Sequence, residues 1–447
     1  MVAISLLTYK LLALSWITAQ RQLIHDRTAS RETWDNTYDF IVVGAGAAGA
    51  VVANKLSECK SVRVLLLEAG GAQSAIYNDI PGMDSYIYPN GINYWNYYSE
   101  PRPNYGQKYP GGRVREPKGK TLGGSTTHNG MIYNRGNRRD YDEWVNTYGA
   151  VGWSYKDLLP VFKEWENNTD PSVVESNPGY HGTRGPIQVS SPKSPDKIFD
   201  VIYEALNGLG YSYTDINGAN QEGYTLTQAF INGQGFRSGT GNAFVDPNPH
   251  EDNLHIVCKA LVSRILFNGL TAIGVEFIRN DIEYRVYANK EVIVSGGPIN
   301  SPQLLMLSGV GPRDHLQSLG IQVLLDLPVG DNYLNKPTVT LTPRIKPEYL
   351  YLTNEITNIN IKQLSELYYE QGGVLAQHPE VALFFSTQSN KDKQWPNINL
   401  IYRIVNGTIY STAYLVRFKS RGTVRLQSTD PRVHPILNPN WFSHPED

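Results

Sequence analysis

Gly44, Gly46 and Gly49 stand at the G-x-G-x-x-G spacing inside Phe40-Ile-Val-Val-Gly-Ala-Gly-Ala-Ala-Gly49. Each glycine has its own task in such a run. The first makes the tight turn, the second lets the backbone come close to a pyrophosphate, and the third lets helix and strand pack closely. Ala47 and Ala48 then open a helix whose N-terminus offers N–H groups and a positive dipole end to phosphate oxygens. Glu68 follows near the ~20-residue spacing expected of a carboxylate that accepts hydrogen bonds from ribose hydroxyls. No basic residue stands beside it, so a 2′-phosphate is disfavoured and NADP with it. NAD and FAD both stay open on these residues alone.

The elements that must position these groups are legible on either side. Phe40 to Val43 is an apolar, β-branched run of the kind found in a buried parallel strand. Ala50 to Leu56 continues as a helix, and Val62-Arg-Val-Leu-Leu-Leu-Glu68 is a second apolar strand ending on the acid. Strand, glycines, helix, strand and terminal acid in one stretch predict a Rossmann-type βαβ unit and an α/β fold.

A second glycine-rich stretch, Lys118-Gly-Lys-Thr-Leu-Gly-Gly-Ser-Thr-Thr-His-Asn-Gly-Met-Ile-Tyr133, has the composition a backbone needs to pass close to a flat ring or a phosphate. Between the two, residues 73–118 are rich in Pro, Gly, Asn and Tyr without clear periodicity and read as a structured excursion. Helical spacing recurs over Tyr141–Tyr148, Tyr155–Trp165 with Ser154 as N-cap, Phe199–Leu209 and Ser301–Leu307. Leu254–Cys258, Leu261–Phe267, Ala272–Ile278 and Tyr284–Ala288 read as a short antiparallel meander, and Glu291–Ser295 as a further buried strand. From Lys336 onward, strand-like runs such as Val381-Ala-Leu-Phe-Phe predict a second domain built on a sheet.

The 447 residues carry a net charge of −2 and no long basic run, which argues against nucleic acid or an anionic membrane as partner. Many of the 29 tyrosines crowd between Tyr77 and Tyr109, in keeping with a packed cover or an apolar cavity wall. With two cysteines, Cys59 and Cys258, a disulfide framework is excluded. No residue is assigned to a metal. Val2 to Ala19 is apolar but broken by Thr8, Tyr9 and Lys10, too short and interrupted for a transmembrane helix. It has features of a weak signal peptide ending near Ala19, and the sequons at Asn167 and Asn406 permit secretion. Residues 20–37 are polar and read as a linker.

Four blocks together resemble the glucose–methanol–choline (GMC) FAD-dependent oxidoreductases, especially insect members of the glucose dehydrogenase and ecdysone oxidase type. They are Asp39–Gly49, Gly119-Lys-Thr-Leu-Gly-Gly-Ser-Thr with Asn129-Gly-Met-Ile-Tyr, Gly296–Pro312, and Asp326-Leu-Pro-Val-Gly-Asp-Asn332. A weaker likeness, Lys419-Ser-Arg-Gly-Thr-Val-Arg-Leu, resembles the start of the family's C-terminal segment. The resemblance implies FAD as cofactor and hydride transfer from a CH–OH donor to flavin N5. The substrate would be a sugar, a sterol such as an ecdysteroid, or a small alcohol, with an unspecified electron acceptor. After a leader and linker at 1–37, the resemblance implies an FAD-binding region at 38–332 interleaved with lid and substrate-domain excursions, and an incomplete substrate-binding, C-terminal region at 333–447.

On the same footing, Ser125 and Asn129, Gly130, Met131 and Ile132 would run along the isoalloxazine and pyrophosphate, and Val262 would touch the adenine end. His128 precedes the asparagine as in the choline oxidase branch, where that histidine is attached to the flavin 8α carbon; the other reading is a packed loop residue. The family's catalytic histidine lies in a segment that would follow Trp441-Phe-Ser-His-Pro-Glu-Asp447, so the expectation is a chain truncated at the C-terminus, and no residue is assigned as base. Tyr333-Leu-Asn-Lys-Pro also stands where the family continues with Leu-x-Asp-His. Two other readings remain open: a flavin-binding fragment without turnover, and an NAD dehydrogenase.

Overall fold

The computed structural model describes residues 12, 14–23, 30–83, 93–354 and 359–447. Its centre is a six-stranded sheet in the order Leu254–Val257, Val64–Leu67, Thr37–Val43, Ile282–Val294, Thr271–Arg279, Leu261–Asn268. The first four strands are mutually parallel and the last two antiparallel. All four residues of Val64–Leu67 are buried, as a strand covered on both faces requires. Val42 and Leu66 pack on one face with Ala50 and Ala53, and Ile41, Val43, Leu65 and Leu67 pack on the other with Phe277 and Leu304. The helix Ala47–Ser57 buries only small side chains, Gly49, Ala50, Ala53, Asn54 and Ser57, and so lies close to the sheet.

Two strand expectations are corrected. Tyr284–Ala288 and Glu291–Val294 are one strand, Ile282–Val294, antiparallel to Thr271–Arg279 along its first half and parallel to Thr37–Val43 along its second. The polar Asn289 and Lys290 that broke the apolar pattern are exposed and are taken up in a bulge, where the pairing shifts from Ala288 with Tyr38 to Glu291 with Phe40. Leu254–Val257 leaves the expected meander and joins the parallel edge beside Val64–Leu67.

The helices Arg138–Tyr148 and Tyr155–Trp165 are present, each with a capping box, from Asn137 and Asp140 and from Ser154 and Asp157 respectively. Ile198–Gly208 is the third expected helix, and the fourth starts earlier than its apolar pattern, at Gly297, with Pro298 in the first turn. Inside the aperiodic 73–118 stretch, Tyr94–Tyr98 and Arg115–Gly119 form an antiparallel pair.

A second, five-stranded sheet runs Thr338–Leu341, Thr408–Leu415, Ile398–Val405, Val381–Phe385, Gly223–Leu226. Its last strand comes from far earlier in the chain. Residues 14–23 of the stretch read as leader and linker are helical; residues 1–11, 13 and 24–29 lie outside the described residues. Among the described residues no helix is long and apolar enough to cross a membrane. Cys59 is exposed and Cys258 buried, both unbridged.

Candidate functional site

A cavity of about 450 Å³ opens at the C-terminal ends of the parallel strands. Gly44, Gly46, Ala47, Ala48, Glu68, Ser125 and Val262 line it. The three glycines do different things. Gly44 has φ +94°, and a Cβ there would lie 2.6 Å from Ser295 O. A Cβ on Gly49 would lie 1.8 Å from Gly44 O, so this glycine closes the turn against the helix behind the cavity. At Gly46 a Cβ would meet only Gly124 Cα, at 3.9 Å. Gly46 is therefore the position left open for a ligand. It caps Ala47–Ser57 without a side-chain hydrogen bond, and no acid stands in the first turn. The first-turn amides of Ala47 and Ala48 thus face the cavity with the positive end of the helix dipole.

Glu68 is buried at the end of its strand, where Oε2 accepts Ala45 N–H and Oε1 accepts Gly70 N–H, both at 2.8 Å. Burial pushes its carboxyl above the usual range, and the two amides work against that rise. Each oxygen keeps a second lone pair for a ligand hydroxyl. Val262 stands at the same end, since Ala260 N donates to Glu68 O at 2.9 Å. A second helix N-terminus, at Gly296–Ser301, closes the opposite wall. This donor set suits an adenine dinucleotide: amides for a diphosphate, a carboxylate for ribose, an apolar strand for adenine.

The second glycine loop is built onto the first. Gly123 N donates to Ala45 O at 2.8 Å, and a Cβ on Gly124 would lie 2.7 Å from Gly46 Cα. Gly119 N donates to Ser125 Oγ at 3.1 Å. Beyond Ser125 the loop leaves the cavity wall. Asn129 lines a separate apolar cavity of about 510 Å³, which shares Ala47 with the first. His128 is buried, with Nδ1 2.5 Å from Thr127 Oγ1 and its ring edge-on to Tyr94. Gly130 faces His378, whose Cε1 would be 3.7 Å from a Cβ there. Met131 is fully buried at φ +60°, and Ile132 packs on Ala382 and Phe384 of the second sheet. The cavity thus gathers seven of the sequence-derived positions, with Gly49 behind it and His128–Ile132 beyond its rim.

Sequence reasoning missed two residues beside this loop. His378 stands in Gln377-His-Pro-Glu380, which carries no motif. Arg237 lies in Gly-Phe-Arg-Ser with no periodic signal, yet it is buried and donates to the Asn129 carbonyl at 2.9 Å. Among the described residues no cluster of His, Cys, Asp and Glu is placed to hold a metal.

The model of the GMC oxidoreductase family matches residues 38–338. Oxygen-dependent choline dehydrogenase of Stenotrophomonas maltophilia is 36% identical over 446 residues, covering 92% of this chain and 75% of its own. The protein of the same name from Pseudomonas fluorescens is 37% identical over 429 residues, covering 92% and 74%. Among solved structures, formate oxidase of Aspergillus oryzae superposes with a TM-score of 0.81 at 26% identity, over 93% of this chain and 79% of its own. An FAD-dependent oxidoreductase from Chaetomium thermophilum gives 0.79 at 25% identity, over 91% and 79%. The chain therefore belongs to the GMC oxidoreductase family of FAD-dependent enzymes.

Proposed function

We propose that the chain oxidises a small alcohol at its CH–OH group, with choline as the first candidate and a sugar or an ecdysteroid-type sterol, the substrates of the insect-type resemblance, as the competing ones. The observation that carries this reading is the Gly46–Gly124 cradle below an uncapped helix N-terminus, in a chain 36% identical to choline dehydrogenases. When bound, the flavin supplies the oxidant, with N5 taking the hydride of the carbinol carbon.

The chain's own residues bind and orient. Gly46, Ala47 and Ala48 would receive the pyrophosphate, Glu68 the adenosine ribose, and Val262 the adenine. The Ser125–Ile132 loop would run along the ring, and it reaches the second sheet, where Ile132 meets Phe384 and Ile401.

Anaerobic spectroscopy of purified protein tests this. The oxidised flavin bands are expected to be present, to bleach with choline, and to stay with glucose and an ecdysteroid. Absence of flavin bands after incubation with FAD refutes the cofactor assignment. Bands that persist with all three alcohols refute the oxidation reading and leave a flavin-binding protein without alcohol turnover. Re-oxidation by dioxygen or by a dye identifies the class of acceptor.

A further inference from the structure

One buried arginine links the cofactor loop to the N-terminal helix. Arg237 is 1% exposed. Its Nε donates to Asn78 O at 2.7 Å. Its Nη1 donates to Asn129 Oδ1 at 2.7 Å, Asn129 O at 2.9 Å and Thr126 O at 3.2 Å. Asn129 Oδ1 in turn accepts Met131 N–H at 3.1 Å, where the chain makes its left-handed step. A guanidinium has planar, fixed donors that can reach several carbonyls at once, which a lysine ammonium on a flexible stem cannot reproduce.

Arg237 is itself held from behind. Its N–H donates to Asp79 O at 2.8 Å. Asp79 Oδ2 accepts Arg21 Nη2 at 2.8 Å, and the Arg21 guanidinium lies 3.9 Å above the ring of Phe236, the residue next to Arg237 in the chain. Arg21 belongs to the helical residues 14–23, seated by the buried Leu14 and by a hydrogen bond between the Thr18 and Tyr368 hydroxyls at 3.1 Å.

We propose that Arg237 is the positioning residue for the Thr126–Met131 loop, and that the N-terminal helix clamps it through Arg21, which makes that helix a working part of the cofactor site. The inference rests on the reading of Ser125–Ile132 as the loop beside the flavin. The Arg21 side chain is 27% exposed, so its replacement leaves no buried charge behind except Asp79, which keeps Gln73 as a donor at 3.0 Å. Arg237 offers no such tolerance, because its loss leaves Asn78 O and Asn129 O short of a donor in the interior.

Hydrogen–deuterium exchange of the apoprotein tests the clamp without any turnover. In Arg21→Gln, peptides spanning 126–132 are expected to exchange at least about tenfold faster, with those spanning 40–57 unchanged. Arg21→Lys, which keeps the ion pair, is expected to recover most of the protection. FAD titration of the same variants is expected to show at least about fivefold weaker binding for Arg21→Gln. Arg237→Met should be more severe in both; if it does not fold, the Arg21 pair carries the test. Unchanged exchange at 126–132 overturns the clamp, and so does an equal rise over 40–57, which marks Arg21 as a general stability residue. Faster loop exchange with unchanged FAD affinity upholds the clamp and refutes instead the placement of the loop beside the flavin.

Discussion

The three fingerprint glycines should separate into one binding position and two folding positions. Gly46 has φ −76° and ψ −161°, an extended conformation open to any residue, and a Cβ there would stand 3.9 Å from its nearest neighbour. Gly46→Ala should therefore fold as the wild type does, with a stability change within about 0.5 kcal/mol. Its methyl group narrows the cradle between Gly46 and Gly124. Overpacking of a fitted contact costs about 1–3 kcal/mol, which at 1.4 kcal/mol per factor of ten weakens FAD by about 5- to 150-fold. Gly46→Val, with two more methyls, should bind no measurable FAD. Gly49→Ala is the control. Its Cβ would lie 1.8 Å from Gly44 O and 3.1 Å from Ser295 Cβ, so the turn and helix must separate. That should destabilise the apoprotein by at least about 3 kcal/mol, the upper end of overpacking costs. The assay pairs melting of the apoprotein with FAD titration by fluorescence quenching. Wild-type FAD affinity in Gly46→Ala refutes the reasoning, as does a Gly46→Ala apoprotein that melts as early as Gly49→Ala.

Glu68→Ala should lower both FAD affinity and apoprotein stability, the latter by about 1–3 kcal/mol, because it orphans the amides of Ala45 and Gly70 as well as removing the ribose acceptor; unchanged melting would show that these bonds hold nothing. His181 lies between Glu166 and Asp215, each 2.8 Å from a ring nitrogen; burial alone would lower the imidazole, and the two carboxylates instead raise it to about 9. A folded-state value above the unfolded one means the contribution is full below about pH 6.5 and is lost as pH rises through about 9, on the order of 3 kcal/mol. The melting temperature should fall over that window, and a His181→Gln variant that shows the same fall would refute the assignment. Acid precipitation of flavin-loaded protein should leave the yellow colour in the supernatant, since His128 is packed against Tyr94 with Nδ1 engaged by Thr127; flavin mass on a His128 peptide would overturn this.

Much of the site could be read from the chain because its contacts are local. Phe40 to Glu68 closes a βαβ unit within itself, so strand, turn, helix and acid follow from periodicity and glycine spacing, and the parallel strands, the helix and the buried Glu68 are where that pattern puts them. The N-cap at Ser154 was legible for the same reason: its partner, Asp157, stands three residues away. The order of the first and second glycine loops, and the presence of a second sheet, also followed from residue types in sequence.

Tertiary structure decided the rest, and in each case the deciding neighbour is remote in the chain. Gly46 faces Gly124, which is brought against the turn from far along the chain, and Ser295 crowds Gly44 in the same way. Ile282–Val294 is one strand because its first half pairs with Thr271–Arg279 and its second with Thr37–Val43, with Asn289 and Lys290 taken up in a bulge between them. Gly223–Leu226 belongs to the second sheet because Val381–Phe385 pairs with it across more than a hundred residues. Arg237 has no periodicity to announce it. Its role exists only once Asn78, Thr126 and Asn129 surround it, since a buried guanidinium is specified by the carbonyls that converge on it and not by the residues beside it in the chain.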